Sequence, residues 1–156
     1  MKYLVTGGSG LIGSFLLPAI KVNGDDWRTF DIQDNYNVMD MSHIGDTLRA
    51  DRPDVVGHLA AQSGVEASRS SGYDSFRLNV LGTVNVLEAC LFHGVKNVVV
   101  ASSNHVYGAQ TVWPVPEDAP LNQLDTYSVS KTCADYITRA YAHNYGMNTV
   151  AAPICQ

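Results

Sequence analysis

The sequence predicts a doubly wound parallel α/β sheet. Two observations carry this: short apolar runs alternate with longer helical stretches, and a glycine-rich turn joins the first run directly to the first helix. Strands covered on both faces read as continuous apolar runs, and right-handed crossovers lay the intervening helices over the sheet. With 156 residues, 46% hydrophobic and 16% charged, the chain suits one domain with a proper core, spanning 1–156.

Residues 2–6 (KYLVT) form the first strand. Residues 11–22 form a helix stopped by Asn23-Gly24, and Pro18 inside it removes one backbone bond and predicts a kink. Residues 27–31 (WRTFD) form the second strand, and 42–50 a short helix capped by Ser42. Residues 54–60 are the third strand. Residues 74–93 make a long helix, apolar on more than one face, that ends at Gly94. Residues 97–102 (NVVVAS) are the clearest strand. Pro114, Pro116 and Pro120 make 108–124 a loop. Residues 126–145 form a second long helix, capped by Asp125 or Thr126 and stopped by Gly146, and 148–154 start a further strand.

The net charge is −5 and no block of Lys or Arg occurs, which argues against nucleic acid or an anionic membrane as partner. No run approaches the ~20 apolar residues of a membrane span, and the apolar start is too short for a signal peptide. The expected setting is cytoplasmic. Cys90, Cys133 and Cys155 lie far apart without metal-ligand spacing, as buried reduced thiols do. His58, following an apolar strand, is expected to be packed or backbone-bonded, and His93 to favour a helix C-terminus.

Thr6-Gly7-Gly8-Ser9-Gly10-Leu11-Ile12-Gly13 sits between the first strand and the first helix. Gly7 permits the tight turn, Gly10 lets the backbone approach a pyrophosphate, and Gly13 permits close helix–strand packing. The helix N-terminus then offers free N–H groups and partial positive charge to phosphates. No GK[ST] follows, which excludes a P-loop nucleotidase. Asp31 ends the second strand, where a carboxylate binds both adenosine ribose hydroxyls and repels a 2′-phosphate. The pattern predicts NAD rather than NADP.

Tyr127 and Lys131 are four residues apart at the start of a helix and so share one face. A free phenol is a poor base at neutral pH, and a neighbouring ammonium favours its phenolate. The pair is a candidate proton acceptor for an alcohol being oxidised.

Together these residues resemble the extended short-chain dehydrogenases, the NAD-dependent epimerase/dehydratase family. TGGSGLIG (6–13), HLAAQ (58–62), NVLGTVNVLEA (79–89), SSNHVYG (102–108) and YSVSK (127–131) match that family's segments in order. The resemblance implies a Rossmann fold and chemistry on a nucleotide-linked sugar, oxidised at the C4 hydroxyl to a 4-keto intermediate. It implies that Ser103 binds the substrate hydroxyl beside Tyr127, and that Tyr127 and Lys131 also contact the cofactor. Asp40 and Met41 resemble the pair at the adenine, and Leu59, Ala60, Ala61 and Asn79 would line the cofactor. Sugar 4,6-dehydratases carry Thr-Asp-Glu where this chain has Ser103-Asn104-His105, and Asn104 cannot donate a catalytic proton. That favours a 4-epimerase over a dehydratase. The SSNH string also resembles uronate dehydrogenases, and His105 reads either as a titrating group or as a structural histidine beside the cleft.

Family members continue into a C-terminal domain that binds the nucleotide sugar, and this chain stops at Gln156. The expectation is a domain that folds and binds NAD weakly without turnover, and a non-catalytic NAD-binding fragment is the alternative. By the same resemblance, helices 74–93 and 126–145 would form a homodimer interface.

Overall fold

The computed structural model describes residues 1–154. In chain order they form β1 (Lys2–Thr6), α1 (Leu11–Val22), β2 (Asp26–Phe30), α2 (Met41–Asp51), β3 (Val55–His58), α3 (Val65–Ser70), α4 (Gly72–Phe76), α5 (Gly82–Phe92), β4 (Asn97–Ser103), α6 (Thr126–Tyr145) and β5 (Asn148–Ile154). Short 3-10 turns lie at Ile32–Asp34 and Asn104–Tyr107, and a wide π turn at Arg77–Leu81 joins α4 to α5.

All five strands pair in parallel, in the order β2-β1-β3-β4-β5. The chain leaves β1 to one side for β2 and returns to the other side for β3. The carboxyl ends of β1 and β3 therefore diverge into a crevice, the usual ligand position of such sheets. Leu4, Phe30, Val56, Val98 and Val100 point from the strands into the main core, where Ile44 and Leu48 of α2, Val86, Leu87 and Cys90 of α5, and Tyr141 of α6 meet them.

Most predicted elements are present, with shifted ends. Asp31 lies just beyond β2, and β3 is four residues long. The cap of α2 is Asp40, not Ser42: its carboxylate accepts from the Ser42 and His43 amides, and Met41 is already helical. A carboxylate at this position satisfies two orphan amides at once, which a serine within the helix cannot. The predicted helix 74–93 is α4, the π turn and α5 in succession, and α3 before it was not anticipated. The short, serine-rich α3 offers too little periodicity to be read. The helix α1 runs through Pro18 unbroken, because Pro18 and the Ser14 carbonyl it leaves free are both on the solvent side. The longest helix, α6, is framed at both ends. Asp125 and Ser128 form a reciprocal capping box at its start, and Gly146 closes it at φ 62°. Cys90 is buried and Cys133 half-buried, both as free thiols, and Cys155 lies outside the described residues.

Candidate active site

The crevice is built from backbone. Gly7 sits at φ +70°, and a Cβ there would fall 2.5 Å from the Ala60 amide nitrogen. The turn thus lies directly on the end of β3, closer than any side chain allows. A Cβ on Gly13 would fall 2.0 Å from the Gly8 carbonyl oxygen. Gly13 therefore packs α1 against the turn itself, rather than against a strand. The α1 cap, Gly10, makes no side-chain bond and the first turn of α1 carries no acidic residue, so its amides remain open to an anion.

A cleft of about 330 Å³ opens above this turn, lined among others by Gly7, Gly10, Leu11, Ile12, Asp31, Leu59, Ala60 and Ala61. The fold thus brings together eight of the residues the sequence assigned to a cofactor. The Asp31 carboxylate is largely buried at the cleft wall, oriented by the Ser9 amide at 3.0 Å on one oxygen and the Gln33 amide at 3.1 Å on the other. Each oxygen keeps a lone pair for an incoming hydroxyl. Open helix amides and a carboxylate held beside them by the Ser9 amide suit the phosphates and the ribose of an adenosine diphosphate moiety, so the residues present fit a dinucleotide.

Three of the expected cofactor residues have other partners in this structure. Asp40 is committed to capping α2 and Met41 points to the outer surface near Phe92, so neither lines the cleft. Asn37 and Val38 line it instead, with Asn37 Oδ1 accepting from the Met39 amide at 2.9 Å. Asn79 is fully buried in the π turn and lines no part of this cleft. Its Oδ1 accepts from the Gln62 amide at 2.8 Å, and its Nδ2 donates to the Gln62 carbonyl at 3.1 Å and to Ser130 Oγ at 2.9 Å. It holds the segment after β3 against α6. Phe30, Ile32, Gln33, Tyr36, Ser63 and Leu78 also line the cleft and were missed. They come from four separate elements, and no local pattern marks them.

The second cluster stands at the carboxyl end of β4. Ser103 closes the strand, buried, with its Oγ accepting from the His105 amide at 3.3 Å. The His105 ring meets the Tyr127 ring edge-on, with centroids 5.9 Å apart. Lys131 is buried one turn further along α6 and donates from Nζ to the Ala101 carbonyl of β4 at 2.7 Å. Burial pushes its ammonium down to about 8, opposed by the carboxylate of Asp135 on the next turn. Burial in turn raises the Asp135 carboxyl, whose nearest cation is Arg139 Nε at 3.7 Å. Asn104, His105, Tyr107, Trp113, Glu117 and Leu124 are among the walls of a cavity of about 640 Å³ beside this cluster. The predicted serine thus closes β4, and the predicted tyrosine and lysine lie at the start of α6, which is tied to that strand through Lys131.

The model of the NAD dependent epimerase/dehydratase family matches residues 3–156. The chain belongs to this family. A UDP-glucose 4-epimerase from Corynebacterium glutamicum is 30% identical over 162 residues, covering 94% of this chain and 48% of that protein. The crystal structure of UDP-glucose 4-epimerase from Brucella ovis in complex with NAD superposes with a TM-score of 0.91 at 28% identity, over 96% of this chain and 50% of that one. RMD from Pseudomonas aeruginosa complexed with NADPH superposes at 0.85 and 28% identity, over 97% and 52%. The chain thus spans about half the length of the relatives it matches. The fold is the family's Rossmann fold, with NAD as the cofactor. Among the described residues no helix is long and apolar enough to cross a membrane.

Proposed function

We propose that this chain is the NAD-binding and proton-transfer half of a nucleotide-sugar 4-epimerase. The observation that carries the reading is the assembly of Ser103, Tyr127 and Lys131 at the end of β4, beside a dinucleotide crevice, with Asn104 where a dehydratase would need an acid. When bound, NAD supplies reversible two-electron oxidation of the sugar carbon. Gly7, Gly10, Leu11 and Ile12 would hold the pyrophosphate, Asp31 the adenosine ribose, Asn37 and Val38 the adenine end, and Leu59, Ala60 and Ala61 the wall between.

The remaining chemistry belongs to the side chains. Because Ser103 Oγ accepts from the His105 amide, its own proton is free to point at a substrate oxygen. Tyr127 takes the proton of the sugar hydroxyl as that carbon is oxidised, and returns it when the carbon is reduced from the other face. The Lys131 ammonium, fixed on the Ala101 carbonyl on the same helix face as Tyr127, would bind the nicotinamide ribose. A second reading, a sugar or uronate dehydrogenase, is favoured by Asn104 and His105 lining the cavity next to Tyr127.

The reading extends to a cytoplasmic homodimer. Tyr73, Phe76, Leu81 and Phe92 on α4–α5, with Val129, Tyr136 and Tyr145 on α6, leave apolar surface on the two elements that would pair. Sedimentation at increasing concentration checks it.

The full-length enzyme containing these residues, incubated with NAD and a panel of UDP-, dTDP-, GDP- and CDP-sugars, decides the chemistry by NMR and absorbance at 340 nm. A C4 epimer without net NADH supports the epimerase. Stoichiometric NADH indicates the dehydrogenase, and a dehydrated keto sugar overturns both.

A further inference from the structure

The mechanism leaves one buried titratable group unused, His58 at the end of β3. Both of its ring nitrogens are engaged: Nδ1 lies 2.7 Å from Thr6 Oγ1 and Nε2 lies 3.2 Å from Thr83 Oγ1. The direction of every bond follows from its neighbours. Thr83 has one hydroxyl proton and donates it to the Asn79 carbonyl at 2.7 Å, so toward His58 it can only accept. Nε2 therefore carries the ring proton and Nδ1 is the acceptor. Thr6 Oγ1 receives the Ala60 amide at 3.3 Å and gives its own proton to Nδ1.

The result is a one-directional chain: Ala60 amide, Thr6, His58, Thr83, Asn79 carbonyl. Its first members lie where the phosphate turn meets the cleft wall, since Thr6 precedes Gly7 and Ala60 lines the cleft. Its last member is the residue whose side chain grips Ser130, and Ser130 Oγ donates to the Tyr127 carbonyl at 2.7 Å. Thr6, His58, Thr83, Asn79 and Ser130 are all buried.

We propose that His58, fixed as the neutral Nε2–H tautomer, is a positioning residue that ties the phosphate turn to the first turn of the catalytic helix. The inference rests on the reading of Tyr127 and Lys131 as the catalytic pair. Of the charged groups nearby, Lys131 is the one that acts on the ring; with burial, the larger effect, it keeps His58 neutral, pushed down to about 3. A charged ring would need a second acceptor, and Thr6 could serve only by giving up its own donation to Nδ1. The single tautomer is what lets two threonines, each with one proton, satisfy the whole chain without an orphaned group.

The first test needs no variant. Long-range 1H–15N NMR of the histidine rings in the 156-residue chain is expected to show His58 with a slowly exchanging Nε2–H and no titration between pH 8 and pH 5. An Nδ1–H pattern, or a ring that protonates near pH 6.5, overturns the proposal. The second test compares Thr83→Val with Thr83→Ser. The valine removes both hydroxyl bonds, and is expected to shift the Ala60, Ser130 and Lys131 amide resonances and to weaken NAD binding by roughly three- to tenfold, the effect of about one hydrogen bond. The serine restores all of these. If Thr83→Val shifts only neighbours in α5 and β3 and leaves Ser130 and NAD affinity unchanged, His58 is merely structural. Should the valine variant not fold, Thr83→Ser and the tautomer still decide. Normal turnover by Tyr127→Phe would remove the catalytic reading while leaving both NMR outcomes in place, so the two failures are distinguishable.

Discussion

The cofactor cleft and the catalytic cluster lie at the same end of the sheet but are made in different ways. The cleft is mostly backbone: glycines that admit no Cβ, open helix amides, and one carboxylate aimed by two neighbouring amides. Its turn and its carboxylate come from β1, α1 and the end of β2, and the segment after β3 closes the opposite wall. The catalytic cluster is mostly side chain. Tyr127 and Lys131 are placed only when α6 docks on β4 and on the π turn, through Ala101, Asn79 and Ser130. Substitutions should therefore act locally and sterically in the first region, and through electrostatics and distant partners in the second.

The largest expected effect lies on the catalytic side. Tyr127→Phe should lower turnover by roughly 10²–10⁴-fold in the full-length enzyme while NAD affinity stays unchanged, because only the proton acceptor is lost. Near-normal steady-state rates would end the assignment. Lys131→Met should also cut turnover, yet make the fold more stable at pH 7 by about 1–3 kcal/mol. The folded ammonium titrates at about 8 against an ordinary 10.5, so the folded chain holds fewer protons between those values. The stability present above pH 10.5 is lost as pH falls toward 8, and it stays lost at 7. Urea denaturation of both proteins at pH 7 checks the sign.

On the cofactor side, Gly13→Ala should destabilise by about 1–3 kcal/mol and weaken NAD, since a methyl group cannot share space with the Gly8 carbonyl. Unchanged melting would mean that α1 slides freely on the turn. Between the regions, His58 ties stability to acidity. The folded ring, pushed down to about 3, resists a proton that the unfolded ring accepts below 6.5. Its contribution should fall by about 1.4 kcal/mol per pH unit below 6.5, seen as an excess acid sensitivity that His58→Gln removes. The smallest effect is Asp31→Asn, expected to narrow the preference for NAD over NADP by about tenfold in calorimetric titrations.

The same contrast explains what could be read in advance. Gly7, Gly10, Gly13 and Asp31 were legible because the spacing of the glycines and the end of the second strand mark their positions without any need for the packed fold. Tyr127 and Lys131 were legible because helix periodicity places residues four apart on one face. The capping role of Asp40 was not read, since an aspartate cap and an aspartate ligand look alike until the helix start is known. The contacts that hold Asn79 in the fold were not legible. Its partners, Gln62 and Ser130, are 17 and 51 residues away, and only the packed fold brings them together. Boundaries such as the division of 74–93 at the π turn depend on that same packing.

The wide turn at Arg77–Leu81 also acts as a gauge of chain length. Its closing bond runs from the Gly82 amide to the Arg77 carbonyl, five residues back instead of four. One residue more than an ordinary helix needs is therefore stored between α4 and α5. Deleting any single residue there would let the helix heal into a regular α spiral and lose nothing locally. It would, however, remove the wide turn that presents Asn79 to Gln62 and Ser130, while the helices on either side keep their phase. The segment with the most regular appearance is thus the one in which the number of residues, more than their kind, is fixed.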